Sequence, residues 1–464
     1  MAAVEQPNNT LFDSPGVFYT QDYSLDKLNF LLASGQRFDL KKLLIELSYY
    51  EDLYSFVVSG YLTVQDGQGF VELLQLTGNQ FLELEFGKVK GAPNNIKQTL
   101  RVYKIENRKP SGNMNTESYK LYFCSEELIL SEQTKISKSV AGNKISDVIK
   151  GVLTDFNGGL FINSEKIHRI EETMGIYDFI VPRLKPFEAI SWLSNYARPA
   201  ASNPNDQIAD MLFFQNSEGF NFRSLQSMFK SPAYATYKYQ LKNLDNEELP
   251  FREKMNTILN YEFVKTYDML DSISQGAFAN KLISLDTIAR TANTTTYNYG
   301  ANKTAQLNSG SVSNELRNRF GLTQSSSPDA NFKVATGNSM QPRSPYIKQV
   351  PDAIAQNIAI ETYVPNRTAQ ISLANYTVMK MTIPGDPGIS VGRTVNINLF
   401  TLKPTTKSKG LDEFYSGKYL VTAVRHIIQP NVYQTVVEVA KDSSAKNYSS
   451  INNFSNEWEK AVKL

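Results

Sequence analysis

The chain has 464 residues, of which 41% are hydrophobic and 20% charged, proportions typical of a folded protein long enough for two to four domains. Its 48 Lys and Arg residues against 46 Asp and Glu residues give a net charge of only +2. That balance argues against a dedicated nucleic-acid binder, so we expect no sequence-specific nucleic-acid partner. No segment approaches the roughly 20 consecutive apolar residues of a membrane helix, so we expect no membrane insertion.

The cysteine content and the N-terminus indicate where the chain folds. Cys124 is the single cysteine, which excludes an intramolecular disulfide, and its place on a predicted strand favours a buried thiol over a reactive one. Residues 1–10 are polar and lack the basic start and apolar run of a signal peptide. These features predict folding in the cytosol of the cell that makes the protein.

The N-terminal part is predicted to be an arm followed by a β-domain. Residues 1–35 are polar and rich in turn-forming residues, which indicates an arm rather than part of a core. Residues 36–130 are predicted to form a small closed β-domain, because five strands follow one another within about 90 residues. The predicted strands are 43–47, 54–64, 81–86, 100–106 and 119–125, with a polar break at 50–52 and a helical turn at 71–76.

Residues 131–233 are predicted to be a separate α+β domain. A helix is predicted over 144–156, where apolar residues follow the spacing of one helical face: Ile145, Val148, Ile149, Val152 and Leu153. A second helix is predicted over 186–197, with Pro186 in its first turn. The apolar runs 211–214 and 219–222 flank a polar turn and predict a buried hairpin.

The next two segments are predicted to connect domains. Within 234–299 we expect a strand at 234–242, a long helix at 251–274, and extended chain at 279–289 and 294–299. Residues 300–345 are dominated by Asn, Ser, Thr, Gly and Gln through position 329, a composition typical of a loop or linker.

Residues 346–445 are predicted to form a second β-domain, followed by a C-terminal tail at 446–464. A helix is predicted from Pro351, and it leads into strands at 378–383, 394–400, 419–425 and 433–439. In the second of these strands, Val395, Ile397 and Leu399 alternate with asparagines, a period that places one face in a core. We therefore expect these three side chains to be buried, and Asn396 and Asn398 to face a lumen, a neighbouring subunit or solvent.

The sequence predicts no catalytic, cofactor-binding or metal-binding residue and no cofactor. The two histidines, His168 and His426, fall in different modules, and with one cysteine they cannot supply a Cys/His zinc set. We expect His168 at the surface and His426 partly buried with its hydrogen bonds satisfied. Phosphate-loop, dinucleotide-binding and nucleophile-elbow patterns are absent. The sequence therefore favours a protein that is not an enzyme.

Short stretches of the middle and C-terminal parts carry a family resemblance. They are 187–193, 212–214 and 219–225 in the middle, and 384–387, 391–392, 416–419, 433–435 and 441–443 near the C-terminus. These stretches resemble the middle region and the closing domain of the baseplate hub proteins of contractile-tailed bacteriophages. More distantly, the chain is similar to the hub part of type VI secretion spike proteins.

The resemblance implies a fold class, an assembly and a location. The fold is then β-rich α+β, with two small β-barrel-like tube domains, 36–130 and 346–445, separated by an α+β middle region. Three chains would form a homotrimeric hub whose six similar domains adapt the sixfold tail tube to the threefold central spike. The implied partners are the chain itself, the tail tube protein, the central spike protein and other baseplate proteins. The implied location is the virion tail baseplate, assembled in the host cytoplasm.

A possible internal repeat and two alternative functions stay open at this point. Ser59 and Gly60 enter a strand much as Ser416 and Gly417 do, which either chance or two related β-domains would explain. A tail-associated cell-wall hydrolase is one alternative function, although no recognisable acid pair supports it. A receptor-binding or glycan-binding protein at the tail tip is the other.

Overall fold

The structure is a computed structural model that describes part of the chain. The described residues are 20–442 except 33–34, 75, 79, 112–115, 155–161, 163, 201–208, 240–249, 267, 278, 287–290, 299–346, 350–359, 401–409 and 413. The strands are β1 (Ser24–Leu31), β2 (Arg37–Asp39), β3 (Leu44–Asp52), β4 (Ser59–Asp66), β5 (Phe81–Gly87), β6 (Ile96–Pro110), β7 (Glu117–Cys124), β8 (Ile136–Asn143), β9 (Ile167–Ile170), β10 (Tyr177–Leu184), β11 (Met211–Asn216), β12 (Gly219–Ser224), β13 (Ala233–Tyr239), β14 (Thr257–Ile258), β15 (Asn260–Lys265), β16 (Ala279–Asp286), β17 (Thr291–Asn298), β18 (Ile347–Gln349), β19 (Thr377–Pro384), β20 (Thr394–Asn398), β21 (Gly417–Gln429) and β22 (Val432–Lys441).

Helices are short and fewer than strands among the described residues. They are α1 (Phe70–Leu73), α2 (Glu126–Gln133), α3 (Ile145–Thr154), α4 (Pro186–Ser194), α5 (Leu225–Lys230), α6 (Phe251–Met255), α7 (Met269–Ser274) and α8 (Ile360–Ala374), with a 3-10 turn at Lys41–Leu43. No helix in this described part is long and apolar enough to span a bilayer. The predicted fold class, β-rich α+β, is confirmed.

One large sheet runs through both predicted β-domains. Its main path is β14-β13-β20-β21-β3-β4-β7-β6-β5-β1-β2, and β22, β19 and β15 branch from β21. The branch point is β21. Along one edge its first residues pair with β20 and its residues Ala423 to Ile428 pair with β3. Along the other edge it pairs with β22. The two predicted β-domains are therefore joined edge to edge through one strand.

Three large hydrophobic cores lie around this sheet, and a small fourth cluster contains residues of β17 and α8. The N-terminal core contains the inward residues of β1 and β3–β7, and Ile428 and Tyr433 from the β21–β22 hairpin complete it. The C-terminal core contains residues of β13, β14 and β19–β22 together with α5 and Phe214. The middle core lies between α3, α4 and the small sheets β18-β10-β8 and β11-β12-β9. Alternation along each strand sends one set of side chains into a core and the other outward.

Most of the predicted elements of the first β-domain are confirmed, and three details are wrong. The predicted arm contains strand β1, in which Leu28 and Phe30 are buried, and a bulge between Leu25 and Lys27 hides the alternation that would have revealed it. The predicted break at 50–52 is the end of β3, and the strand predicted over 54–64 begins only at Ser59. The polar residues at 50–52 were predicted as a break because a polar run is typical of a loop. In a fold such residues can lie on a strand when their side chains form hydrogen bonds.

The middle region follows the prediction closely. Helix α3 buries all five of its predicted face residues, and α4 begins at the predicted Pro186. The hairpin β11–β12 is formed and largely buried. The last two residues of the helix predicted over 144–156 lie outside the described residues.

The predicted connector at 234–299 is wrong in part. Strands β13, β14 and β15 belong to the large sheet, and the helix predicted over 251–274 is divided into α6, β14, β15 and α7. Along β15 exposed and half-buried residues alternate, and its tyrosine and phenylalanine pack on the C-terminal core. Tertiary pairing with β19 therefore overrides a spacing that also fits a helix. The extended segments predicted at 279–289 and 294–299 are confirmed within the described residues as β16 and β17, which pair as a hairpin.

The strands of the second β-domain are confirmed as β19–β22. Val395 and Ile397 are fully buried and Leu399 nearly so, as predicted, while Asn396 and Asn398 are half-buried. The start of the helix predicted from Pro351 lies outside the described residues, and α8 follows it. The linker at 300–345 and the tail at 446–464 also lie outside them. The division of the chain into two tube domains stays a prediction.

Candidate functional site

The hairpin β11–β12 lies where the three cores meet. Phe213, Phe220 and Phe222 enter the middle core, and the Phe213 and Phe220 rings stack with centroids 5.6 Å apart. Phe214, one residue on and facing the other way, is fully buried in the C-terminal core. Because neighbouring residues of a strand point to opposite faces, one dipeptide connects two cores.

The end of the same hairpin bonds to the N-terminal module. The side-chain oxygen of Gln215, Oε1, accepts hydrogen bonds from the Val58 N–H at 3.1 Å and from the Ser125 hydroxyl at 2.7 Å. Gln215 is fully buried, so these bonds form in a site closed to water, where losing an acceptor is costly. The hairpin therefore contacts all three parts of the fold.

Glu51, at the end of β3, joins the three parts through a single carboxylate. One oxygen accepts from the Ser217 N–H in the β11–β12 turn at 2.7 Å, and the other accepts from the Val391 N–H between β19 and β20 at 3.1 Å. The side chain is buried, and burial raises the pKa of Glu51 to about 7 against the opposing effect of the two backbone hydrogen bonds.

Replacing Glu51 by Gln is expected to change how stability depends on pH. Since the folded pKa is about 7 and the ordinary value is 4.5, the folded state holds a proton that the unfolded state has released. The proton on Glu51 stabilises the folded state fully below pH 4.5. This stabilisation is lost as the pH rises through 7, and the change in unfolding free energy is roughly 3 kcal/mol. The difference in melting temperature between wild type and Glu51→Gln should therefore shrink or invert from pH 5 to pH 8. If the melting temperatures of the two proteins changed with pH in parallel, the raised pKa of Glu51 would be contradicted.

A second buried carboxylate organises the Pro-Gly-Asp-Pro-Gly turn after β19. Asp386 accepts hydrogen bonds from the Tyr234 hydroxyl at 3.1 Å, the Tyr237 hydroxyl at 3.3 Å and the Gly388 N–H at 2.9 Å. Burial raises the pKa of Asp386. At Gly385 a Cβ atom would come within 2.2 Å of the Tyr433 ring, so glycine is required for this close approach.

His426 is fully buried in the N-terminal core, deeper than predicted, and the predicted satisfaction of its hydrogen bonds is wrong for Nε2, which has no partner among the described residues. Its Nδ1 lies 2.9 Å from the Tyr433 hydroxyl and 3.3 Å from the Thr435 hydroxyl, and burial lowers the pKa of His426 to about 3. It faces the aromatic rings of Tyr49 and Phe86 because β21 continues into the first module. This imidazole is neutral and closed off from any substrate.

The other candidate groups lie apart from His426. His168 is exposed on β9, as predicted, with Nε2 3.4 Å from Glu218. Cys124 is buried as predicted, and burial raises the pKa of its thiol to about 11, which keeps it protonated. In the described part of the chain, no group of three or more His, Cys, Asp or Glu side chains could hold a metal ion.

The arrangement is suited to holding parts of the chain together. We call the region where the three cores meet the junction. Its buried polar side chains include Glu51, Gln215, Asn216, Asp386 and His426. Sequence reasoning missed Glu51 and Gln215, whose partners are remote in the chain, whereas Asp386 lies in the 384–387 stretch that carries the family resemblance.

Comparison with known proteins gives one curated relative along most of the chain. No family model matches. The chain is 23% identical over 409 residues to the probable baseplate hub protein gp334 of Vibrio phage KVP40, a match covering 86% of this chain and 89% of that protein. The predicted resemblance to phage baseplate hub proteins is confirmed.

The comparison with solved structures returns two tail proteins that align along most of the chain. A tail protein from Neisseria meningitidis MC58 has 8% sequence identity and a TM-score of 0.48, covering 91% of this chain and 97% of its own. The 43 kDa tail protein of prophage MuSo2 from Shewanella oneidensis has 11% identity and a TM-score of 0.49, covering 90% and 99% respectively.

Proposed function

We propose that this chain is a structural, non-enzymatic hub protein of a phage tail baseplate. The observation that carries the proposal is the match to the phage KVP40 hub protein, which extends over 86% of the chain instead of one module. The junction supports it, since Glu51 and the Gln215 side chain accept buried hydrogen bonds that cross between the three parts of the fold, as expected of a rigid assembly part. The proposed location is the tail baseplate, with assembly in the host cytoplasm.

The finer proposal is a homotrimer that adapts the sixfold tail tube to the threefold central spike. In this arrangement 36–130 and 346–445 supply two tube-forming units per chain, the latter extended by β13–β15, and 131–233 is the middle domain. The joined sheet supports this proposal, because it fixes the two units relative to each other as a pseudo-sixfold ring requires. The partners would be the tail tube protein, the central spike protein and other baseplate proteins.

The wild-type protein is therefore expected to form a trimer of three 52.2 kDa chains. Light scattering coupled to size exclusion measures this mass directly, and an image of virions carrying a labelled chain locates it in the particle. A stable monomer absent from the baseplate would contradict both parts of the proposal. Release of fragments from purified peptidoglycan would support the hydrolase alternative, and glycan binding would support the tail-tip alternative.

A further inference from the structure

A polar groove of about 560 Å³ lies beside strand β13. Its lining residues come from β13, from α6 and the residue after it, from the turn after β19, from β20 and, in the N-terminal module, from Asn94 of the loop after β5. The groove touches four consecutive residues of β13, 233–236. Because neighbouring side chains of a strand point to opposite faces, a cavity that touches consecutive residues contacts the strand along its edge.

The edge of β13 toward α6 is open for most of its length. The other edge pairs with β20, whereas this one pairs with β14 only at Lys238 and Tyr239 among the described residues. The Lys238 N–H donates to the Asn256 carbonyl oxygen at 2.9 Å, so the main chain of Lys238 faces α6. The register with β20 is unbroken from Thr236 to Lys238, so alternation along the strand turns the N–H and C=O of Thr236 to the same side. No described residue pairs with Thr236 there, and such an edge is a template for another strand.

Three asparagine side chains line the groove: Asn94, Asn256 and Asn396. Each is half-buried, and none of the three side-chain amides has a hydrogen-bond partner within the described part of the chain. A side-chain amide carries an acceptor oxygen and two N–H donors. It therefore matches the N–H and C=O groups of another main chain.

The charged groups of the groove are balanced in sign and partly occupied. Arg252 and Glu253 are neighbours on α6, and both are exposed. Arg393 is paired with Glu218 at 2.7 Å, and Asp386 is buried with its carboxylate bonded to two tyrosine hydroxyls. A charged ligand would meet as many like charges as opposite ones, so the groove favours an uncharged one.

The described edge strands of this chain do not match the groove. In the described part of the sheet, β2 and β15 each pair along one edge only. However, β2 carries Arg37 and Asp39, and β15 carries Glu262 and Lys265. These strands would bring charged side chains next to the arginine and glutamate of α6. The groove therefore fits a segment of a different protein better than a second copy of this chain.

We propose that the groove binds an extended, uncharged polypeptide segment of another baseplate protein, which adds to the open edge of β13 as a further strand. The inference rests on the proposed function, which supplies such partners. The N–H and C=O of Thr236 pair with the main chain of the segment, and the asparagines bind further amide groups. A sugar is a poorer fit, because the guanidinium of Arg393 lies 5.2 Å from the centroid of Tyr234, the aromatic side chain of the lining.

Peptide binding to the full-length chain tests the proposal directly. The probes are overlapping peptides that cover the tail tube protein, the spike protein and the other baseplate proteins of the same phage. At least one uncharged peptide is expected to bind, as measured by fluorescence anisotropy. On binding, the Thr236 amide should become protected from hydrogen exchange because its N–H gains a partner. Binding without this protection, or no binding by any peptide, would overturn the proposal.

Two pairs of variants locate the contact. Thr236→Pro removes the N–H that faces the groove and should weaken binding at least about tenfold, whereas Thr236→Val keeps this N–H and should bind like the wild type. Asn396→Ala removes an amide of the groove and should weaken binding about threefold to tenfold. Its matched control is Asn398→Ala, on the same strand but outside the groove, which should bind normally. If Thr236→Pro does not fold, the asparagine pair still decides.

Other outcomes assign the groove to a different occupant or overturn the proposed function. Loss of the trimer in Thr236→Pro would place a second copy in the groove, and binding of a chitooligosaccharide that Asn396→Ala abolishes would place a sugar there. Either result overturns the proposal. A chain located in the baseplate that binds none of the peptides overturns the groove inference and leaves the proposed function standing. A chain absent from the baseplate overturns both.

Discussion

The Tyr433→Ala variant is expected to lose roughly 3–5 kcal/mol of unfolding free energy, the range for truncating a large buried aromatic side chain. Tyr433 is fully buried and lies on β22, yet it belongs to the N-terminal core. Its ring meets Phe86 at 5.9 Å and packs on the backbone of Gly385, and its hydroxyl bonds to His426. Truncation therefore opens a cavity where the two modules join and also removes a hydrogen-bond partner of a buried imidazole.

Urea unfolding followed by fluorescence or circular dichroism measures this loss, and two further variants separate its causes. Tyr433→Phe keeps the ring and removes only the hydroxyl, so it should cost about 1 kcal/mol. Tyr103→Ala truncates a tyrosine that is 48% exposed and should change the stability of the monomeric state by about 0.5 kcal/mol or less. A Tyr433→Ala protein that unfolds at the wild-type urea concentration would show that the hairpin tip does not complete the N-terminal core.

Acid is expected to destabilise the protein through His426. The folded pKa is about 3 and the ordinary value is 6.5, so below pH 6.5 the unfolded chain takes up a proton that the folded chain refuses. The stabilisation from the neutral imidazole is complete above pH 6.5 and is lost progressively as the pH falls toward 3. The total effect is roughly 5 kcal/mol, the free energy that corresponds to lowering the pKa of His426 from 6.5 to about 3.

Two measurements check the role of His426 in acid. Between pH 6.5 and 4 the unfolding free energy of His426→Gln should fall less steeply than that of the wild type, because glutamine does not titrate. In the wild-type protein, the ring resonance of His426, identified by its loss in that variant, should keep its position from pH 8 to pH 5. A resonance that moves with a midpoint near pH 6.5 would show that the imidazole is open to water.

Local patterns in the sequence were sufficient for elements whose periodicity matches their burial. The alternation of Leu82, Leu84 and Phe86 predicted β5, and the helical spacing from Ile145 to Leu153 predicted α3. In these elements one face contacts a single core, so the pattern of apolar residues records the fold directly. The alternating Val395 and Ile397 on β20 follow the same rule.

The junction could not be predicted in this way because its interactions are long-range. Glu51 bonds to the N–H groups of residues 166 and 340 positions away, so its carboxylate looks like part of a polar break in the local sequence. Pairing of β21 with β3 is equally remote. On β15, the spacing of aromatic residues fits a helix and a strand equally well, and only the partner strand β19 decides. The resemblance to hub proteins carried no information on these contacts.

The shared strand β21 also determines when the protein can finish folding during its synthesis. Strand β3 is translated early, but its neighbour β21 and the inward-facing Ile428 and Tyr433 leave the ribosome several hundred residues later. During synthesis the N-terminal module therefore has an incomplete core and an unpaired edge on β3. Such a state favours chaperone binding and premature self-association. A chain interrupted before residue 433 cannot close this interior. Only copies that extend through Tyr433 then have a completed first module with which to enter an assembly.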